Sequence, residues 1–425
     1  MNRRRFLGGL VAAATLATSR PGHPASLSFG PASFDVTATS ALVWLRAVPG
    51  ARVRLEYGTT TELDGATLTE PVVAADATDS TVLSDLSDLA PDTQYFYRGV
   101  VSVDGSEWVK GPVGRFRTAP ASPREFRFAW SGDMEAGHRP FALFDRVIAQ
   151  RPDFFLMVGD TMYADVPKER FVASLAHYRA KHRENREDGP LQRMLAALPV
   201  AAIWDDHEVQ NDFDRTHPAQ ALGRQAFREY WPIRTSDTLY RRLAWTPAAD
   251  VFVLDCRSHR APNSEPDGRA KTMLGATQKA WLKDALAGSK ATFKFVVSSV
   301  PFLPAGRSDS WAGFQTERRE LVEFVRREAI RNVVVLSADY HFAFDFEGEG
   351  LQQFVAGPIA AWVHCRGLNH HVRRQALERL GRPFICDANN FGLVAVRPEG
   401  ASPQIEVQFV DAEGAVRHRR VIQAV

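Results

Sequence analysis

Residues 155–165 read FLMVGDTMYAD. An apolar run with the make-up of a buried strand stops at Gly159, and a carboxylate and a phenol, Asp160 and Tyr163, follow three residues apart. A polar turn is one way to end a core strand, since aspartate readily starts turns. A bound metal ion is another reason to place these two groups together. The segments on either side decide between the two.

Apolar strand candidates recur on both sides: FRFAWSGD (126–133), PVAAIWDDHE (199–208), DVFVLDCR (250–257), TFKFVVSSVPF (292–302) and NVVVLSADYH (332–341). Between them lie stretches with apolar residues at helical spacings of three and four, among them PFALFDRVIAQ, TQKAWLKDAL and ERRELVEFVRREA. Strands alternating with helices predict an α/β domain. It is expected over 119–425, with a loop-rich lid at about 345–390 and a closing hairpin that turns at Asp411–Gly414. Residues 27–118 differ: ALVWLRA, RVRLEYG, TQYFYRGVVSV and VGRFRTA alternate apolar and polar residues and predict a small β-sandwich. LAPDTQYFYR resembles the tyrosine corner of fibronectin III-like sandwiches, and TAPASPREF (118–126) reads as a linker.

The chain has 425 residues, a formal net charge of +2 and 24% charged residues, with no long basic block past the N-terminus. A nucleic-acid-binding surface is therefore not expected, because phosphate backbones require clustered Lys and Arg. MNRRRFLGGLVAAATLATS carries a basic start and an apolar run too short to span a membrane, so residues 1–26 are expected to be a removed export signal, with no stable membrane anchor left. Arg3 and Arg4 resemble the twin-arginine pattern, a general secretory signal being the alternative. The twin-arginine translocase is then a partner during export, and the destination is the periplasm or the extracellular space. Cys256, Cys365 and Cys386 have no metal spacing. Cys256 reads as a core residue, and Cys365 could pair with Cys386.

Acids lie just past the ends of several predicted strands: Asp133, Asp160, the Asp205-Asp206-His207-Glu208 run, and Asp339 with His341. In α/β sheets these carboxyl ends form the crevice where ligands bind. Converging carboxylates repel one another, and a multivalent cation relieves that repulsion, so the pattern implies metal. Asp133, Asp160, Tyr163 and His341 mix carboxylate, phenolate and imidazole, a set suited to a hard trivalent ion such as Fe(III). Asp160 again, Asp206 and Asp339 offer oxygen only, favouring Ca(II), Mg or Mn over zinc. Asp205 and Glu208 read either as supports for the ligands or as acids at a helix start. Asn211 could reach the second metal, and Arg257 could grip a substrate phosphate, with a surface turn or a salt bridge as the plainer alternatives. His364, His370 and His371 are expected to be solvated in the lid.

The ordered blocks Asp133, Gly159-Asp160-x-x-Tyr163, Asp206-His207-Glu208 and Asp339-x-His341 resemble those of calcineurin-like metallophosphoesterases. With IWDDHEVQND, LDCRSHR, MLGATQKAWLKDAL, DSWAGFQTERREL and FVAGPI, they make the chain similar to the PhoD-like alkaline phosphatase (alkaline phosphatase D) family over about 126–360. The resemblance implies a four-layer α/β/β/α core preceded by a fibronectin III-like β-sandwich. It also implies an Fe(III)–Ca(II) type centre, with Mn or Mg possible at the second site, that hydrolyses phosphate esters with a metal-activated hydroxide. His207 would be the catalytic acid beside Asp206. A phospholipase D-like phosphodiesterase is the nearest alternative, and an inactive secreted binding protein the alternative of another class. The chain departs from the family pattern in having Asp133 where a cysteine is frequent. It departs from the wider superfamily in having Asp206 for an asparagine and no histidine in SSVPF (298–302).

Overall fold

The computed structural model describes residues 27–363, 388–400 and 402–425, and the backbone of 384–386. The export segment, the Cys365–Cys386 pairing and His364, His370 and His371 lie outside the described residues. Six α-helices are described: α1 (Leu143–Ala149), α2 (Leu175–Arg186), α3 (Gly189–Ala197), α4 (Gln220–Tyr230), α5 (Gly275–Gly288) and α6 (Gln315–Arg327).

Two large mixed sheets form the middle of the molecule. In the centre of the nine-stranded sheet, Phe126–Ser131, Phe154–Val158 and Val200–Ile203 run parallel. In the seven-stranded sheet, Ala249–Val253, Phe293–Val297 and Val333–Ser337 do the same. The alternation of a strand explains the layering. Val251, Val253, Phe295, Val297, Val334 and Leu336 belong to the core between the sheets. There the Phe128 and Phe295 rings meet edge-on at 5.0 Å, and Trp130 donates to the Ser337 carbonyl. The intervening Phe252, Val296, Val333 and Val335 pack with Leu282 and Leu286 of α5 and Leu321 and Val322 of α6. On the other flank, Phe144 of α1 meets Phe155 edge-on at 5.9 Å. The result is the expected α/β/β/α order. Strands buried on both faces read as continuous apolar runs, which is why they stood out in the sequence.

The N-terminal residues do form two β-sheets, and the tyrosine corner is present: the Tyr95 hydroxyl accepts from the Ala90 N–H at 2.9 Å. The boundary at 118 is not a break in the sheet structure, however. Leu27–Phe34, Ala41–Ala47 and Thr81–Leu86 continue the nine-stranded sheet, through a parallel pairing of Phe34 with Val200. A strand that joins another domain's sheet has the same periodicity as one that closes its own sandwich, so the sequence could not distinguish them. The loop-rich region also begins later than expected. Ala343–Gly348 and Leu351–Val355 pair antiparallel inside the seven-stranded sheet, their polar residues AFDFEG and LQQFV notwithstanding. The closing hairpin is as expected, with Gly414 N–H donating to the Asp411 carbonyl.

Polar contacts pin the N-terminal strands to the rest. Asp35 and Arg241 are both buried, and Arg241 binds the Asp35 carboxylate at 2.8 Å along with the Ala202 and Leu239 carbonyls. Arg186 of α2 lies over the rings of Trp44 and Trp231 at 4.8 and 4.2 Å. Removing one partner of a buried pair strands the other charge, whereas an exposed pair is screened. Asp35→Ala should therefore cost about 3–5 kcal/mol in urea unfolding. Arg234→Ala, which breaks the exposed pair with Asp85, should cost less than about 1 kcal/mol. Equal losses would deny the Asp35–Arg241 pair its part in joining the sheets.

Candidate metal centre

The parallel strands of both sheets end at one rim. Phe126–Ser131 delivers Asp133, Phe154–Val158 delivers Asp160 and Tyr163, Val200–Ile203 delivers Asp205–Glu208, and Val333–Ser337 delivers Asp339 and His341. Asp133, Asp160, Asp339 and His341 all adopt left-handed backbone conformations, with φ of 66°, 51°, 67° and 57°. Such conformations cost on the order of 1–3 kcal/mol each and persist only where the surroundings impose them. Gly357 serves the same geometry: its φ is +121°, and a Cβ there would lie 2.6 Å from Asp133 Oδ2.

Ligand atoms of Asp133, Asp160 and His341 lie within 4.8 Å of one another, and all three residues are buried. His341 Nδ1 contacts the Trp362 carbonyl at 2.6 Å. A carbonyl only accepts, so Nδ1 carries a proton, and in the neutral ring Nε2 is the nitrogen with the lone pair. That nitrogen is 3.0 Å from the Tyr163 hydroxyl and 3.3 Å from Asp133 Oδ1. A second group, Asp160, Asp206 and His207, also falls within 4.8 Å. Asp339 is in neither group but lines the same cavity, of about 290 Å³, with Asp160, Asp206, Asn211, Arg307 and Trp362. A larger groove of about 1150 Å³, between the Thr81–Leu86 strand and α4, gathers no such ligand set among the described residues.

The electrostatics describe a deficit of positive charge. Burial first, then Asp206, Asp205 and Asp133, pushes the Asp160 carboxyl well above the ordinary range. Burial and then Asp205 do the same to Asp339, against the pull of Arg307. Burial, Asp160 and Asp133 raise the Tyr163 phenol. Among the described residues, both oxygens of Asp133, Oδ1 of Asp206 and Oδ2 of Asp339 are buried without a hydrogen bond. Buried carboxylate oxygens are ordinarily satisfied, so these orphans, beside the His341 Nε2, fit cations. A third acidic group, Asp206, Asp212 and Asp309, is different, because Arg257 and Arg260 already pair with Asp309.

His207 is held by a residue that no motif marked, Asp165 at the end of FLMVGDTMYAD. Asp165 Oδ1 lies 2.6 Å from His207 Nδ1, and the Tyr163 ring stacks on the imidazole at 4.0 Å. Burial pulls the His207 pKa down, but Asp206, Asp165 and Glu208 outweigh it and raise it to about 9. Glu208 braces strand ends, accepting from the Thr161 N–H and hydroxyl and the Asp205 N–H. Asp205 is turned away from the cavity towards Arg257. Of the two readings of Arg257, phosphate donor and salt bridge, the structure has the salt bridge: it is fully buried, and its guanidinium is bidentate to both Asp205 and Asp309. The guanidinium on the cavity is that of Arg307. Arg307 and Trp362 lie in loops without strand or helix patterning, and no motif marked them.

The raised His207 pKa is measurable in metal-stripped protein. Its ring should titrate near 9 by NMR, and Asp165→Asn should bring that value down. The folded state binds this proton more tightly than the unfolded chain, whose histidine titrates at its ordinary 6.5. The stabilisation is thus complete below about 6.5 and lost as pH rises through about 9. An unchanged titration in Asp165→Asn would remove Asp165 from this role.

Comparison with known proteins places the chain in a family. The model of the PhoD-like phosphatase family matches residues 128–378, and that of the PhoD-like phosphatase N-terminal domain matches residues 12–120. Alkaline phosphatase D of Bacillus subtilis (strain 168) is 26% identical over 338 residues, which is 66% of this chain and 57% of that protein. The chain therefore matches less than two thirds of the length of this curated relative. Among solved structures, PhoD superposes with a TM-score of 0.81 at 22% identity, covering 96% of this chain and 92% of that one. The purple acid phosphatase PPD1 from yellow lupin (Lupinus luteus) seeds gives 0.66 at 11% identity, covering 92% and 74%. These two likenesses show a shared fold. Matched over well more than half of its length by the family's own models, the chain belongs to the PhoD-like phosphatase family.

Proposed function

We propose that the protein is an exported, metal-dependent hydrolase of phosphate esters. The observation that carries this reading is the set of buried carboxylates with unpaired oxygens beside a histidine, His207, whose pKa Asp206 and Asp165 raise. In this reading Asp133, Asp160, Tyr163 and His341 hold one cation. Asp160 also faces a second one with Asp206 and Asp339. The phenol and imidazole suit Fe(III), and the oxygen-only set suits Ca(II), with Mn or Mg the alternatives there. Bound at these groups, the cations supply water activation and neutralise charge on the phosphoryl oxygens.

The chain's own groups do the rest. His207 donates through Nδ1 to Asp165, which leaves Nε2 to carry the proton that the departing oxygen takes. Asp165 stabilises the imidazolium before that transfer. Tyr163, stacked on the ring, holds its plane. The Asp205–Arg257–Asp309 network and Glu208 keep the ligand-bearing strand ends in place from behind. The basic start MNRRRFLGG supports export by the twin-arginine route, which carries folded proteins, so that metals are loaded first.

Elemental analysis of the purified protein should find iron and a divalent cation, and a chromogenic phosphate ester should be turned over. Asp160→Asn should lose bound metal and turnover together. His207→Asn should keep the metals and lower kcat by about 10²–10⁴-fold. A protein with neither metal nor turnover would overturn the reading. Export is tested separately. Arg3→Lys with Arg4→Lys should leave the chain in the cytoplasm, and undiminished export would exclude the twin-arginine route.

A further inference from the structure

With Arg257 enclosed between Asp205 and Asp309, the cavity is left with one guanidinium among its lining residues, that of Arg307. Three carboxylates, Asp160, Asp206 and Asp339, share that lining. Arg307 is half-exposed, and its nearest carboxylate is Asp212, at 3.5 Å between Nη2 and Oδ1. This distance is longer than a charge-assisted hydrogen bond, so the partner is loosely held and can be displaced. Asp339, Asp309, Asp212 and Asp206 together raise the Arg307 pKa further, keeping it charged at any working pH.

The backbone that carries Arg307 is much more firmly placed than its side chain. The Arg307 N–H donates to the Tyr340 hydroxyl at 2.9 Å. The Ser310 hydroxyl donates to the Arg307 carbonyl at 2.8 Å, so its contact of 3.0 Å with Tyr340 takes the proton of the tyrosine. Gly306, at φ +146°, fits against the same oxygen: a Cβ there would lie 2.0 Å from it. Tyr340 is flanked in sequence by Asp339 and His341, two of the strand-end residues that face the cavity. One side chain thus registers the Arg307 loop against the segment that presents the ligands.

We propose that Arg307 binds the substrate phosphoryl group, its planar fork taking two of the oxygens that do not leave, and that the Tyr340 hydroxyl positions it for this. A guanidinium matches this geometry as an ammonium does not. Asp212 is then the partner that Arg307 releases when the phosphoryl group enters. The inference rests on the phosphoesterase reading of the site.

The test is equilibrium dialysis of inorganic phosphate against the metal-containing protein, with metal content and steady-state kinetics measured on the same preparations. Arg307→Ala should weaken phosphate binding by about 10- to 100-fold with its metals retained, and Arg307→Lys should recover only part of the loss. Tyr340→Phe keeps the ring and removes only the hydroxyl. It should raise KM and the phosphate dissociation constant several-fold, with kcat nearly unchanged. Phosphate binding unaltered in Arg307→Ala would overturn the proposal. So would loss of metal in Arg307→Ala that Arg307→Lys restores in full, because Arg307 would then only balance charge. Arg307-dependent phosphate binding in a wild-type protein that hydrolyses no ester would support the anion site and sink the phosphoesterase reading instead.

Discussion

The structure is organised around a repulsion that the folded chain does not relieve by itself. Asp133, Asp160, Asp206 and Asp339 are brought, buried, to one rim, and burial together with mutual charge pushes the carboxyls of Asp160 and Asp339 far upward. A protein stabilised only for its own sake would have replaced such groups or paired them, since unpaired buried charge is among the costliest features a fold can carry. Here the pairing is applied selectively. Arg257 and Arg260 neutralise Asp205 and Asp309 behind the rim, while among the described residues both oxygens of Asp133, Oδ1 of Asp206 and Oδ2 of Asp339 in front are left without a hydrogen bond.

That selectivity depends on the layers. Two sheets facing each other with their parallel strands aligned put four strand ends on one edge, and the apolar core between them, from Phe128 to Phe295, holds those ends at fixed separation. Asp133, Asp160, Asp339 and His341 have left-handed backbone there, and their side chains are buried. The N-terminal sandwich contributes to the same frame. Its Leu27–Phe34 strand extends the nine-stranded sheet, and Asp35 locks it to Arg241.

Much of this was legible beforehand because burial and charge leave strong marks on a sequence. Strands covered on both faces appear as unbroken apolar runs, and acids directly after them were visible at Asp133, Asp160, Asp206 and Asp339. The corner tyrosine Tyr95 was legible for a similar reason, since its spacing from LAP is set by a local hydrogen bond. Arg257 stayed open between phosphate donor and salt bridge because its position in LDCRSHR says nothing about which carboxylate it meets; Asp205 and Asp309 are each 52 positions away in sequence. Asp165 stood in plain view, yet its bond to His207 spans 42 positions. Arg307 and Trp362 come from irregular segments, where no periodicity predicts direction.

The sequence by itself determined the α/β class, the strands and the acids at their ends, which follow from local periodicity and residue chemistry, and the family, through the ordered blocks that resemble it. Only the tertiary structure decided which charges cancel and which remain open. It turned Arg257 inward and left Arg307 on the cavity, set Asp165 behind His207, and ran the sandwich sheet into the larger one. These outcomes depend on contacts between distant residues, because the energy of a buried charge is set by whatever the fold brings within a few ångströms of it.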